Sequence, residues 1–219
     1  MRDLDILMMM MSKKGGPSTR WVWTLNGLSY GVIPAAYLGT SFTAKVDFDL
    51  SGVPSASKRT LLSGSSRDVD NIVIDVTVTE IRAFCYIGST LTGLIRHSAT
   101  LKGSHTVELN VLNNYAELYL DGSLVGSSTW ALDGNQCITY VGNRAGVEGY
   151  FLGGLYNIKV TGITNTDVYP SGTFNYKLDE PYSDSHIAVD SDNPDGDELV
   201  ATAMQKFNDL PEDYTEESV

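Results

Sequence analysis

The strongest constraint on this chain is an apolar–polar alternation with a period of two, sustained from about Trp21 to about Gly162. Ala44, Val46, Phe48 and Leu50 alternate with Thr43, Lys45, Asp47 and Asp49. Ile72, Ile74, Val76 and Val78 alternate with Val73, Asp75 and Thr77, and Ile81, Ala83, Cys85 and Ile87 with Arg82, Phe84 and Tyr86. The pattern recurs through Val107–Val111, Ala116–Leu120 and Tyr156–Val160. Successive side chains of a strand point to opposite faces, so each run buries one face and wets the other. No comparable helical periodicity appears in this region. The punctuation agrees: Asn113-Asn114, Asp121-Gly122 and Asp133-Gly134 are turn dipeptides between runs. Many short strands without strand–helix–strand units predict an all-β fold, a sandwich of two antiparallel sheets.

Charge divides the chain. Of its 219 residues, 178–219 hold 13 acids and one base, Lys206, whereas residues 1–177 hold 14 of each sign. The whole net charge of −12 therefore belongs to the C-terminal extension. Such asymmetry suggests an appended interaction segment, with a merely solvated tail as the competing reading. The expected organisation is an arm and linker over 1–20, one β-domain over 21–177 and an acidic extension over 178–219. An acidic chain is no general binder of nucleic acid or anionic lipid. No hydrophobic run reaches the ~18–20 residues of a membrane span.

In the first segment Asp3 and Asp5 precede a short apolar run, Ile6, Leu7, Met8, Met9, Met10 and Met11, followed by Lys13 and Lys14. That order does not fit a secretory leader. Methionines adapt to irregular grooves, so these six residues are the candidate assembly contacts. A disordered start is the alternative. Gly15-Gly16-Pro17-Ser18 reads as a linker. Cys85 and Cys137 sit in strand-like runs and read as buried free thiols, with a single bridge as the alternative.

Residues 104–161 carry a more specific signal. Ser104-His105-Thr106-Val107-Glu108-Leu109 leads to Ala116-Glu117-Leu118-Tyr119-Leu120-Asp121-Gly122. Tyr140-Val141-Gly142-Asn143-Arg144 and Gly149-Tyr150-Phe151-Leu152-Gly153-Gly154-Leu155-Tyr156 follow. Together with Leu25–Tyr30 and Ser41–Ala44, this string resembles the laminin-G-like, concanavalin A-like jelly-roll domains over about two thirds of the chain. Within it, Gly153-Gly154 in a strand implies a bulge or a close backbone approach. The resemblance implies a jelly roll but not a function, because glycan binders, adhesion modules, glycanases and phage virion proteins share it. Glycanases of the fold carry an acidic E-x-D-x-E strand that is absent here, and Glu117 and Asp121 do not reproduce its spacing. What remains resembles the short laminin-G-like proteins of tailed-phage virions, with Asn175–Glu180 and Ile187–Ser191 similar to segments that follow their domain.

Aromatic residues on wet faces are the candidate glycan contacts: Phe84 and Tyr86 on one strand, Tyr115 and Tyr119 on another, and Trp130 with Tyr140 near loops. Such rings offer a flat apolar surface, and tyrosine adds a polar handle. The competing reading packs them under loops, the arm or a neighbouring subunit. Asp190, Asp192 and Asp195 supply oxygens for calcium, but Pro194 breaks the EF-hand pattern and a plain acidic loop is the stronger reading. His97, His105 and His186 lack ligand spacing. No catalytic residue, resident metal or cofactor is expected. Val200, Ala203, Met204 and Phe207 share one face at helical spacing, so residues 197–208 could form a short helix.

The sequence expectation is a non-enzymatic virion protein of a tailed phage, a tail-fibre adhesin or capsid decoration module assembled in the bacterial cytoplasm. Its partners would be other virion proteins through both termini, host surface glycan and further copies of itself. A bacterial carbohydrate-binding or adhesion module is the alternative, and a glycan-cleaving enzyme a distant third.

Overall fold

The computed structural model describes residues 23–26, 30–50, 59–64, 69–144, 149–177, 187–189 and 198–201. These form fourteen strands. In chain order they are β1 (Trp23–Asn26), β2 (Gly31–Asp49), β3 (Arg59–Ser63), β4 (Ile72–Thr77), β5 (Glu80–Ile87), β6 (Thr90–Ser98) and β7 (Ser104–Leu112). There follow β8 (Tyr115–Leu120), β9 (Ser123–Thr129), β10 (Cys137–Val141), β11 (Leu152–Ile163), β12 (Thr173–Lys177), β13 (Ile187–Val189) and β14 (Glu198–Ala201). No helix occurs among the described residues.

The strands build two antiparallel layers that share β2. The first sheet runs β9–β8–β7–β2–β11, with β1 and β12 end to end along the far edge of β11. The second runs β6–β5–β4–β3–β10–β2–β14–β13. The 19-residue β2 passes from one to the other. Its Gly31–Tyr37 half pairs with β10, and its Phe42–Asp49 half pairs with β7 and β11.

The alternation read from the sequence sets the register. Val46 stands opposite Val107 on one side and Ile158 on the other, and Ala44, Leu109 and Leu118 form a second row. All of these side chains are fully buried between the layers. Each contributes about 1.5–3 kcal/mol of burial, except the smaller Ala44. The hairpins follow their turn residues. Asn113 and Asn114 have φ of 49° and 67°, and Asp121 and Gly122 have 51° and 78°, the left-handed pairs that two-residue hairpins need. Gly153, at φ 147°, lies so close to the Asp49 carbonyl that a Cβ would collide with it, the close approach expected of the glycine pair. Both cysteines are buried, and neither is in a disulfide.

One local expectation is corrected. Glu198–Ala201, inside the segment with helical spacing, is a strand. It pairs with β13 and, through Val200 and Ala201, with Val32 and Gly31 of β2. An isolated helix of that length is marginal in water, whereas the open edge of β2 offers unpaired backbone groups. Residues 202–208 lie outside the described residues, as does the remainder of the proposed helix.

Candidate functional site

The sequence candidates fall in three places instead of one. Tyr115 and Tyr119 lie on the outer face of the first sheet, Phe84 and Tyr86 on the outer face of the second, and Trp130 in the seam between the sheets.

On the first sheet, Tyr115, Glu117 and Tyr119 alternate outward along β8 while Ala116 and Leu118 are fully buried. Tyr115 is 48% exposed and Tyr119 half-buried. Tyr115 Oη donates to Ser127 Oγ at 2.9 Å, and Tyr119 Oη donates to Glu117 Oε2 at 2.8 Å. Ser127 stands directly opposite Glu117 in the register. Both phenols therefore lean toward the same Glu117–Ser127 row, which lays their rings over the sheet. The Glu117 hydrogen bond pushes the Tyr119 hydroxyl above its ordinary value and keeps it a donor. Around this pair stand Glu108, opposite Tyr119, and the exposed Leu124 of β9. Asn110 accepts a hydrogen bond from Thr43 at 3.2 Å on the same face.

Asp121, in the hairpin after β8, ties this face to the end of the sandwich. Its Oδ1 accepts from the Thr106 backbone N–H at 2.8 Å, and its Oδ2 lies 2.8 Å from His105 Nδ1. Partial burial, the largest influence, pushes the Asp121 carboxyl up. The Thr106 amide and His105 together outweigh it and hold the group below its ordinary value.

On the second sheet, Phe84 is 6% exposed, so the expectation of a wet ring is corrected. Alternation assigned it to the outer face, and it does lie there, opposite Val73 and Leu94. The guanidinium of Arg144 covers it at 5.2 Å and that of Arg82 approaches at 5.8 Å. Tyr86 stays half-buried, 6.0 Å from the Phe84 ring and 6.0 Å from the Arg144 guanidinium. Beside them runs a charged row. Buried Asp75 accepts from Thr60 Oγ1 at 2.8 Å and from Arg82 Nη2 at 2.9 Å. Arg82 also meets Glu80 at 3.2 Å, and Glu80 meets exposed Arg96 at 3.1 Å. The charged row is balanced within itself, and Arg144 adds a further cation that, with Arg82, lies over Phe84.

Trp130 is 1% exposed and offers nothing to a ligand. It follows β9 and packs over Gly93 of β6, where the two edge strands meet, and any Cβ at residue 93 would run into its ring. Tyr140 is half-buried with its ring 5.8 Å from that of Tyr30. Among the described residues no group of three or more histidine, cysteine or acidic side chains could hold a metal ion. Asp190, Asp192 and Asp195 lie outside the described residues, and so do the arm residues Ile6 to Met11.

Sequence reasoning missed Glu117, Ser127, Arg82 and Arg144. Glu117 carried a signal, being flanked at two-residue spacing by tyrosines. Arg144 carried none, because its contact with Phe84 joins a loop to a strand 60 residues away.

No protein-family profile matches the sequence, and no curated protein matches it. Solved structures match in fold. A Bacteroides ovatus protein described as carbohydrate binding superposes with a TM-score of 0.55 at 14% identity, over 82% of this chain and 58% of that one. The fold is a jelly-roll sandwich of antiparallel sheets. The Ruminococcus gnavus IT-sialidase CBM40 bound to alpha2,3 sialyllactose matches with a TM-score of 0.45 at 16% identity, over 62% of this chain and 84% of that one. Domains LG4-5 of the mouse laminin alpha1 chain match with 0.47 at 18% identity, over 77% of this chain and 51% of that one. The jelly roll thus spans little more than half the length of the Bacteroides protein.

Proposed function

We propose that this jelly roll is a non-enzymatic contact module that binds glycan on the outer face of its first sheet. One observation carries the reading: Tyr115 and Tyr119 are tethered by their hydroxyls to Ser127 and Glu117, with Tyr115 still 48% exposed. Tethered rings lose little freedom when a sugar stacks on them, and neighbouring oxygens serve its hydroxyls. The other aromatic face lacks this property, since Phe84 is already covered. The description of the Bacteroides ovatus neighbour as carbohydrate binding agrees with the reading.

The wider role follows the sequence. The resemblance to short phage proteins, the arm at residues 1–20 and the acidic extension at 178–219 support a tailed-phage virion component held through its termini. A bacterial carbohydrate-binding module is the second reading, favoured by the Bacteroides match.

A glycan array probed with the full chain tests the binding claim. Signal on some glycans that falls at least about tenfold in Tyr115→Ala/Tyr119→Ala is expected, a change of about 1.4 kcal/mol. Equal signal from that variant would remove the site. Incorporation of a chain lacking residues 1–16 into particles tests the virion role, and normal incorporation would remove the arm from it.

A further inference from the structure

The charges around the tyrosine pair speak to which glycans it accepts. We infer that this face selects neutral glycans and rejects acidic ones, with Glu117 as the residue that sets the discrimination. The inference rests on the glycan-binding reading of the same face.

Two acids flank the pair on this face. Glu117 lies between the tyrosines and holds the Tyr119 hydroxyl at 2.8 Å. Glu108 stands opposite Tyr119 on the neighbouring strand. Asp121, in the turn beyond β8, is drawn instead to the Thr106 amide and to His105, whose ring lies against buried Phe48, so it stands apart from the pair. The cations across the sheet are Lys45 of β2, which faces Glu108, and, one strand farther off, Lys159 of β11, which faces Lys45. Two strand spacings, roughly 10 Å, separate β2 from β8. A sugar carboxylate stacked between the tyrosines would therefore meet acids before it met a base. Like charges placed together are an effective way to exclude a competitor. At physiological salt such repulsion acts over about 8 Å, farther than the single strand spacing of about 5 Å that separates Glu108 from Tyr119.

A neutral sugar gains from the same groups. The second oxygen of Glu117 is an acceptor for a sugar hydroxyl, and a charged acceptor makes the stronger hydrogen bond. Discrimination and affinity thus share one side chain.

The test compares matched glycans on one array, each neutral oligosaccharide beside a counterpart carrying an added sialic or uronic acid. The full chain should bind the neutral members about tenfold or more above their acidic counterparts, about 1.4 kcal/mol of discrimination. Glu117→Gln keeps the shape and an acceptor for Tyr119 but removes the charge, and it should shrink the ratio severalfold. Glu80→Gln, which removes one charge from the outer face of the second sheet, should leave the ratio in place. Raising the salt should shrink it in the native chain. Equal binding of both members by the native chain, or a ratio untouched by Glu117→Gln, would overturn the inference while leaving glycan binding intact. Silence on every glycan would overturn the glycan reading itself, and the inference with it.

Discussion

At the scale of single residues, packing decides which aromatics are available. Trp130 illustrates the point, because its ring fills the seam over Gly93. Trp130→Ala should cost roughly 3–5 kcal/mol, read as a lowered denaturant midpoint, because a cavity replaces a fully buried indole. Asp121 makes a pH-dependent contribution. Its folded value lies below its unfolded one. Its stabilisation is therefore complete above the ordinary carboxylate value, near 3.8, and is lost as the pH falls through the lower folded value. Asp121→Asn should flatten the acid limb of a thermal-melting profile below about pH 4 and leave its slope near neutrality unchanged. Cys85 will be a poor nucleophile, since burial pushes its thiol up to about 11.

At the scale of elements, turns and alternation explain most of what was readable in advance. The β7–β8 hairpin depends on Asn113 and Asn114, both at positive φ. Replacing both by alanine should destabilise the protein by about 1–2 kcal/mol per residue, measurable by urea unfolding. These strands and turns were legible because each signal lies within a few residues: alternation shows which face a side chain takes, and asparagine pairs show where the chain reverses. Phe84 shows the limit of that logic. Alternation placed it correctly on the outer face but carried no information about Arg144, which covers it. The strand at Glu198–Ala201 was illegible for the same reason. Its local spacing suits a helix, and the partner that overrides it, Val32 with Gly31, is 168 or more residues earlier. The tyrosine face was half legible. Tyr115 and Tyr119 were found by alternation, whereas their tethers to Ser127 and Glu117 required the register.

At the scale of the whole molecule, the acidic extension is not simply appended. Ile187–Val189 and Glu198–Ala201 add to the second sheet beside β2. A chain ending at Lys177 should keep the sandwich but expose the β2 edge. Size-exclusion chromatography should then show concentration-dependent association beyond that of the full chain, and a truncated chain that associates no more than the full one would contradict this. The sharing of β2 between both layers has a further consequence for synthesis. Of its four neighbours among the described residues, three come late, at Cys137–Val141, Leu152–Ile163 and Glu198–Ala201. While the ribosome has made only the first half of the chain, the central strand of both sheets still lacks most of its partners. Such non-local pairing makes folding slow. The nascent chain therefore cannot settle layer by layer, and both layers must close together, late in translation, around a single strand made near its beginning.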